Sequence, residues 1–422
     1  MNYLTPSTKE IKIVQISFLV IFLNFVVESF LMYFENRLNI FIFQYGINLS
    51  FYFYLIIKKF HVRLTKIYLP PILLTLYFLI MSIFSSNLLL SYHMVFKFSI
   101  PFVFFFIGYS LNSLYLFQYL VNRIWIVLGY FVVYFLIVNY FQIGEELYVG
   151  GVKVGFFSIS GLYLPVFSIV VLMFFYPVIN SKKNKFFTLL LSILTIAISV
   201  AILKRTLLLA LFLGLFAYLI FNLNFKLILK ISSFLLIVGL FFFYFFFEDF
   251  QKTLKSRESR FNKDYDISQE GRVTENFYVL DILGKDQIKM WFGSREIFND
   301  QKYISYVYYE DERELHNSFA RIFWNGGIFG LVVYLYFYWI QMKLMLASYL
   351  KVKGFSSYFK ALFTFGITFL FLKFLNDFSS GATYLGFNAF CYLILGNILY
   401  HGSKIRNWNR IKIERQSPVI TS

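Results

Sequence analysis

Residues Phe98–Asn122 read FSIPFVFFFIGYSLNSLYLFQYLVN, and no position in this stretch is charged. From Phe102 through Ile107 every residue is apolar, so both faces of an extended chain would be greasy. Strands of a membrane barrel instead alternate lipid-facing and lumen-facing residues over about ten positions. An uninterrupted apolar run must satisfy its backbone polar groups within itself, and an α-helix does that in lipid. About 20 mostly apolar residues suffice to cross the hydrocarbon core. The stretch therefore reads as membrane-spanning helix.

The rest of the chain repeats this pattern. Its 422 residues are 59% hydrophobic, 23% aromatic and 14% charged, against roughly 45–50% apolar and about 25% charged in soluble domains. This excess excludes intrinsic disorder. One cysteine, Cys391, excludes a disulfide scaffold and a four-cysteine zinc site. Twelve spans are predicted, at 13–34, 38–57, 67–85, 96–112, 124–142, 159–179, 186–203, 206–222, 227–247, 322–343, 361–376 and 384–401. The fold class is an all-α polytopic membrane protein. Residues 1–247 hold spans one to nine, 248–321 a large loop, 322–403 the last three spans, and 404–422 a basic tail.

The net charge of +17 would suggest nucleic acid in a soluble protein. Here it sorts by side. With both termini cytoplasmic, 21 of the 39 basic residues fall in cytoplasmic segments, among them Lys58, Lys59, Arg63, Lys182, Lys183, Arg410 and Arg415. That is the positive-inside pattern. The implied partner is anionic membrane lipid, not nucleic acid.

The 248–321 loop holds 15 of the 22 acidic residues, and this topology puts it outside the cytoplasm. So long a polar insert on a tight bundle is usually functional. Val273, Phe277, Leu280, Ile288 and Trp291 recur within Arg272–Trp291, as suits an amphipathic helix lying on the bundle or the membrane.

Some basic residues resist the sidedness rule. Lys204 and Arg205 occupy a short outer connection, and Lys97, Lys153 and Lys373 lie at outer span ends or outer loops. Charges at membrane depth are costly and mark sites by default, although long side chains also snorkel to headgroups. Together these residues suggest an outward electropositive cavity suited to a phosphate-bearing ligand. His316 stands at a water–membrane boundary among charges, after Arg313, and its ordinary pKa near 6.5 makes it a competent base.

The string from His316-Asn317 to Gly327 and Gly330 resembles a signature of the bacterial O-antigen polymerase and O-antigen ligase superfamily. That signature is His, then Asn, Ser or Gln, nine residues, Gly, two residues, then Gly, Thr or Tyr. It falls where that family has it, at the end of a long periplasmic loop entering a helix. Lys204-Arg205-Thr206 looks like the family's Ser-Arg turn, with Lys204 replacing the small residue. Gly271-Arg272 and Met290-Trp291-Phe292-Gly293 look like its Gly-Arg segment and Phe-Gly turn, with Ser294 where a second glycine is common.

The resemblance implies a GT-C-like membrane glycosyltransferase in a bacterial inner membrane, active on the periplasmic face. Its donor and acceptor would be undecaprenyl-pyrophosphate-linked glycans, with a chain-length regulator as a further partner. His316 would take the acceptor's proton, Arg205 and Arg272 would clamp the pyrophosphate, and Lys204, Asn317, Arg313, Arg295 and Lys153 would line the substrate. Gly326, Gly327 and Gly330 allow close helix approach. No metal or cofactor is required, because two arginines can replace a divalent cation. Asp264-Tyr265-Asp266 matches a metal-binding triplet of nucleotide-sugar enzymes, but such triplets arise readily by chance in acidic loops. Three readings stay open: a polymerase, a ligase acting on lipid A core, and a flippase of lipid-linked oligosaccharide. The long outer loop and the lack of repeat halves count against the flippase.

Overall fold

The computed structural model describes residues 6–30, 37–63, 65–146, 153–155, 162–202, 205–222, 271–300, 303, 315, 317–352, 357–379 and 385–416. Thirteen α-helices lie among them. Eight precede the loop: α1 Thr8–Glu28, α2 Arg37–Ile57, α3 Leu69–Ser82, α4 Leu88–Ser110, α5 Tyr115–Tyr140, α6 Tyr163–Phe175, α7 Lys182–Ala201 and α8 Arg205–Asn222. The loop contributes α9 Gly271–Gly284 and α10 Gln287–Phe292, and α11 Ser318–Val352, α12 Ser357–Ser379 and α13 Leu385–Gln416 follow. The described β-structure is a pairing of β1 Glu145–Glu146 with β2 Lys153–Gly155. Six helices are long and apolar enough to cross a membrane and four apolar helices are shorter, which makes this a multi-pass membrane protein. Eleven of the twelve expected spans coincide with helices; the span at 227–247 lies outside the described residues.

The bundle is built around α13. Every residue from Leu385 to Gly402 is buried, so this helix meets protein on all sides and can carry Asn388 and Asn397 where a lipid-facing helix could not. It lies closest to α4. A Cβ on Gly108 would overlap the Leu393 carbonyl, and one on Gly396 would overlap that of Phe105. At this crossing Asn397 Nδ2 donates to the carbonyls of Gly108 (3.2 Å) and Leu111 (3.3 Å). Around it Phe102, Phe105, Phe337 and Tyr392 form edge-to-face and tilted pairs. These rings pack inside the bundle, where such pairs add to area burial.

The single amphipathic helix expected over Arg272–Trp291 is two helices. Asp286, in extended conformation, caps α10 through its Oδ1, which accepts from Ile288 N (2.9 Å) and Lys289 N (3.3 Å). A local side-chain cap of this kind ends one helix and starts the next. The faces also differ from expectation. Val279 and Leu283 are the residues buried against α11, with Leu315, Ala320, Phe323 and Trp324, while Phe277, Leu280, Ile288 and Trp291 point away and are exposed.

Candidate active site

The segment that carries the signature enters α11 through a set of buried polar contacts. Asn317 is fully buried and caps the helix, its Oδ1 accepting from Phe319 N (2.9 Å) and Ala320 N (3.3 Å). Its Nδ2 donates to Asn276 Oδ1 (3.3 Å), four residues after Arg272 on α9. On the other side of His316, the Leu315 N–H donates to Asp300 Oδ2 (2.8 Å). Asp300 Oδ1 in turn accepts from Arg321 Nε (3.3 Å), an ion pair exposed by 1% or less at both ends. The Arg321 guanidinium also lies 5.7 Å from the Phe298 ring centre. Both neighbours of His316 are therefore tethered, one to Asp300 and one to α9. A buried pair of this kind is sustained only when its remaining valences are filled, and the Leu315 amide fills one.

The Phe-Gly turn seats on the same helix. Ser294 N donates to the Trp324 carbonyl (2.8 Å), Trp324 Nε1 to the Glu296 carbonyl (3.0 Å), and Phe298 N to Asn325 Oδ1 (2.7 Å). Here α11 bends: Gly327 has φ 59° and ψ −156°. Gly293 opposite has φ 87° and ψ 178°. Both values lie in a region essentially reserved to glycine. A Cβ on Gly327 would come within 2.5 Å of the Trp291 carbonyl carbon, and one on Gly293 within 2.5 Å of that of Asn325. The two glycines let turn and kink touch backbone to backbone. Gly330 is different: its nearest neighbour to a Cβ is 3.5 Å away. The expected helix approach is found at Gly326, which faces Phe78 of α3.

The turn continues into the bundle. Ser91 Oγ donates to the Ile297 carbonyl (2.7 Å), and Phe298 packs edge-on against Phe78. Burial pushes the Glu296 carboxyl up, but hydrogen bonds from Asn299, from the Ser86 side chain and backbone and from Ser85 outweigh it and hold it below the ordinary range. Glu296 thus staples the loop to the α3–α4 connection.

His316, Lys204 and Arg313 lie outside the described residues, as does the Asp264-Tyr265-Asp266 triplet. Arg205 opens α8 and Arg272 is the second residue of α9; their side chains lie outside what is described. Arg295 is exposed on the turn with φ 65°. Lys153 donates from Nζ to the carbonyls of Gln142 (3.2 Å) and Gly144 (3.4 Å), and its backbone N–H bonds Asn139 Oδ1 (3.0 Å), so it closes the end of α5. Lys373 is also engaged: it pairs with Asp377 at 2.5 Å and is 1% exposed. Asp377 accepts further from the hydroxyls of Tyr334 (2.7 Å) and Tyr338. Its charge is neutralised inside the bundle rather than presented outward. Lys97 is buried within electrostatic reach of Glu28, which accepts from Gly386 N (3.1 Å) on α13.

Residues 187–335 match a family model described as O-antigen ligase. The similarity to that family spans 149 of the 422 residues. No curated protein matches the chain. The matched segment runs from α7 through α8, the loop, α9 and α10 into α11, past both kink glycines, and so contains every contact around His316 described above. The chain is a multi-pass membrane protein in which this segment is similar to the O-antigen ligase family. Asp300, Arg321 and Asn276 were not singled out by sequence reasoning. Arg321 did carry a signal, as a cation inside the apolar start of a span; Asp300 carried none, because its partners stand 15 and 21 positions further along the chain.

Proposed function

We propose that the chain is a glycosyltransferase that polymerises undecaprenyl-pyrophosphate-linked oligosaccharide repeat units at the periplasmic face of a bacterial inner membrane. Both termini are cytoplasmic in this reading. The family match over 187–335 supports glycosyl transfer in O-antigen or related polysaccharide assembly, the part of this reading that polymerase and ligase share. The tethers on both sides of His316 support it, since a general base must be held within reach of the proton it removes.

In the reaction, a hydroxyl of the acceptor repeat attacks the anomeric carbon of the donor glycan. The bond between that carbon and the pyrophosphate oxygen breaks, the electron pair leaves with the pyrophosphate, and His316 Nε2 or Nδ1 takes the hydroxyl proton. Arg205 and Arg272 hold the departing pyrophosphate, whose negative charge suits the planar fork of guanidinium donors. With no covalent intermediate, the anomeric configuration inverts. Lys204, Arg313 and Arg295 line the anionic donor, and a chain-length regulator is the further partner. Cells carrying Arg205→Ala, Arg272→Ala or His316→Ala should make single-repeat glycan only; normal chain lengths in all three would sink the reading.

The description of the matched family favours a second reading, transfer of finished glycan to lipid A core. The donor chemistry is the same. Deleting a ligase leaves long polymer on undecaprenyl pyrophosphate, whereas deleting a polymerase leaves single repeats there.

A further inference from the structure

The elbow formed by α9 and α10 has two apolar faces and, among the described residues, packs one of them against the bundle. Val279 and Leu283 are buried against the start of α11. Phe277, Leu280, Ile288, Trp291 and Phe292 are exposed by 42–60%, an apolar grouping that a water-facing surface does not normally carry. One contact reports its depth. The Phe292 carbonyl at the end of α10 accepts a hydrogen bond from the Tyr77 hydroxyl of α3. Tyr77 lies five residues before the Ser82 end of that helix, or about 7–8 Å along its axis at 1.5 Å per residue. The end of α10 thus reaches the level of a membrane-embedded turn rather than standing above the bundle.

The surroundings are lipid-facing too. The Tyr77 ring packs 5.2 Å from that of Phe329 on α11. Next to these, Leu76 and Ile80 of α3 and Phe329 and Val332 of α11 are exposed, and on membrane-crossing helices such positions meet acyl chains. The elbow continues that surface. Tryptophan and phenylalanine beside charged pairs, here Asp281–Lys285 (2.9 Å) and Asp286–Lys289 (3.9 Å), are the composition of a helix lying in the interface.

We propose that the outward face of α9 and α10 lies in the headgroup–acyl boundary of the leaflet on the loop side of the bundle, with phospholipid as its occupant. The elbow then acts as a monotopic anchor that holds α9, and with it the backbone of Arg272, at the depth of lipid phosphates. The inference stands on the contacts of α3, α10 and α11 and does not depend on the glycosyl-transfer reading.

The native cysteine, Cys391, is buried, which makes site-directed labelling clean once it is replaced by alanine. Ile288→Cys and Phe277→Cys, each labelled with bimane, are reconstituted in phosphatidylethanolamine–phosphatidylglycerol vesicles, with Leu76→Cys as the lipid-facing reference. Nitroxide placed near the headgroup should quench both elbow labels at least twofold more than nitroxide deep in the acyl chain, and aqueous iodide should quench them several-fold less than bimane on glutathione. Iodide quenching equal to that of free bimane would put the face in water and overturn the proposal. So would shielding from both quenchers, which would mean a second copy or another protein covers it. Two exposed positions are read independently, so misfolding of one variant leaves the other decisive.

Discussion

Asp300 and Leu315 are joined by a 2.8 Å hydrogen bond from the Leu315 amide to the Asp300 carboxylate, one residue before His316. The same carboxylate holds Arg321 on α11. The residue before His316 is therefore held by a charge pair that touches no substrate in the proposed reaction.

Removing Asp300 leaves the Arg321 cation buried without its counter-charge, which typically costs about 3–5 kcal/mol. Asp300→Ala should unfold at clearly lower temperature in detergent than the parent. Arg321→Met with Asp300→Leu should recover most of that loss while glycan extension stays impaired, because the Leu315 tether is still missing. Thermal melts and chain-length gels on the same preparations check both parts.

The glycines of the signature separate. Gly327→Ala and Gly293→Ala each force a side chain into a glycine-only conformation, at about 1–3 kcal/mol, and also into the facing backbone. Gly330→Ala meets nothing closer than 3.5 Å and should melt within about 0.5 kcal/mol of the parent, the usual range for unstrained sites. Equal losses at Gly327 and Gly330 would contradict the kink as described.

Far less of this site than of the bundle was legible in the sequence. Spans were readable because a bilayer imposes a local rule: long, mostly apolar runs announce themselves, as Phe98–Ile107 does within α4. The burial of α13 on all sides was not, since being central is a property of the whole bundle, and only the tolerated Asn388 and Asn397 hint at it. Asn317 and Gly327, which the structure places at the start and the kink of α11, were readable because the signature spaces them along one continuous stretch. Asp300, which meets Leu315 and Arg321 only through folding, was not. Lys373 misled in part for this reason: Asp377 stands only one helical turn on, but the Tyr334 hydroxyl that also bonds Asp377 comes from another helix.

Acid should loosen the loop at Glu296. Its folded-state pKa lies below the unfolded value, so the stabilisation is complete above the unfolded carboxylate pKa, about 4.3, and is lost as pH falls through the folded value. Glu296→Gln should lower the melting temperature at neutral pH and flatten its dependence at the acidic end. An unchanged acid slope would remove the staple from the account.

The buried pair of Lys373 and Asp377 should respond like other desolvated ion pairs. Asp377→Ala strands a lysine inside the bundle and should be strongly destabilising, whereas Lys373→Met with Asp377→Leu should be near the parent or above it. A single variant as stable as the double would mean that Lys373 finds water.

The most direct measurement is extension by the purified protein in detergent, given lipid-pyrophosphate-linked repeat units as both donor and acceptor. The expected result is a ladder of longer lipid-linked glycans with the parent, and single repeats alone with His316→Ala, Arg205→Ala or Arg272→Ala. No extension by the folded parent, or a ladder undiminished in all three variants, would contradict the proposed activity.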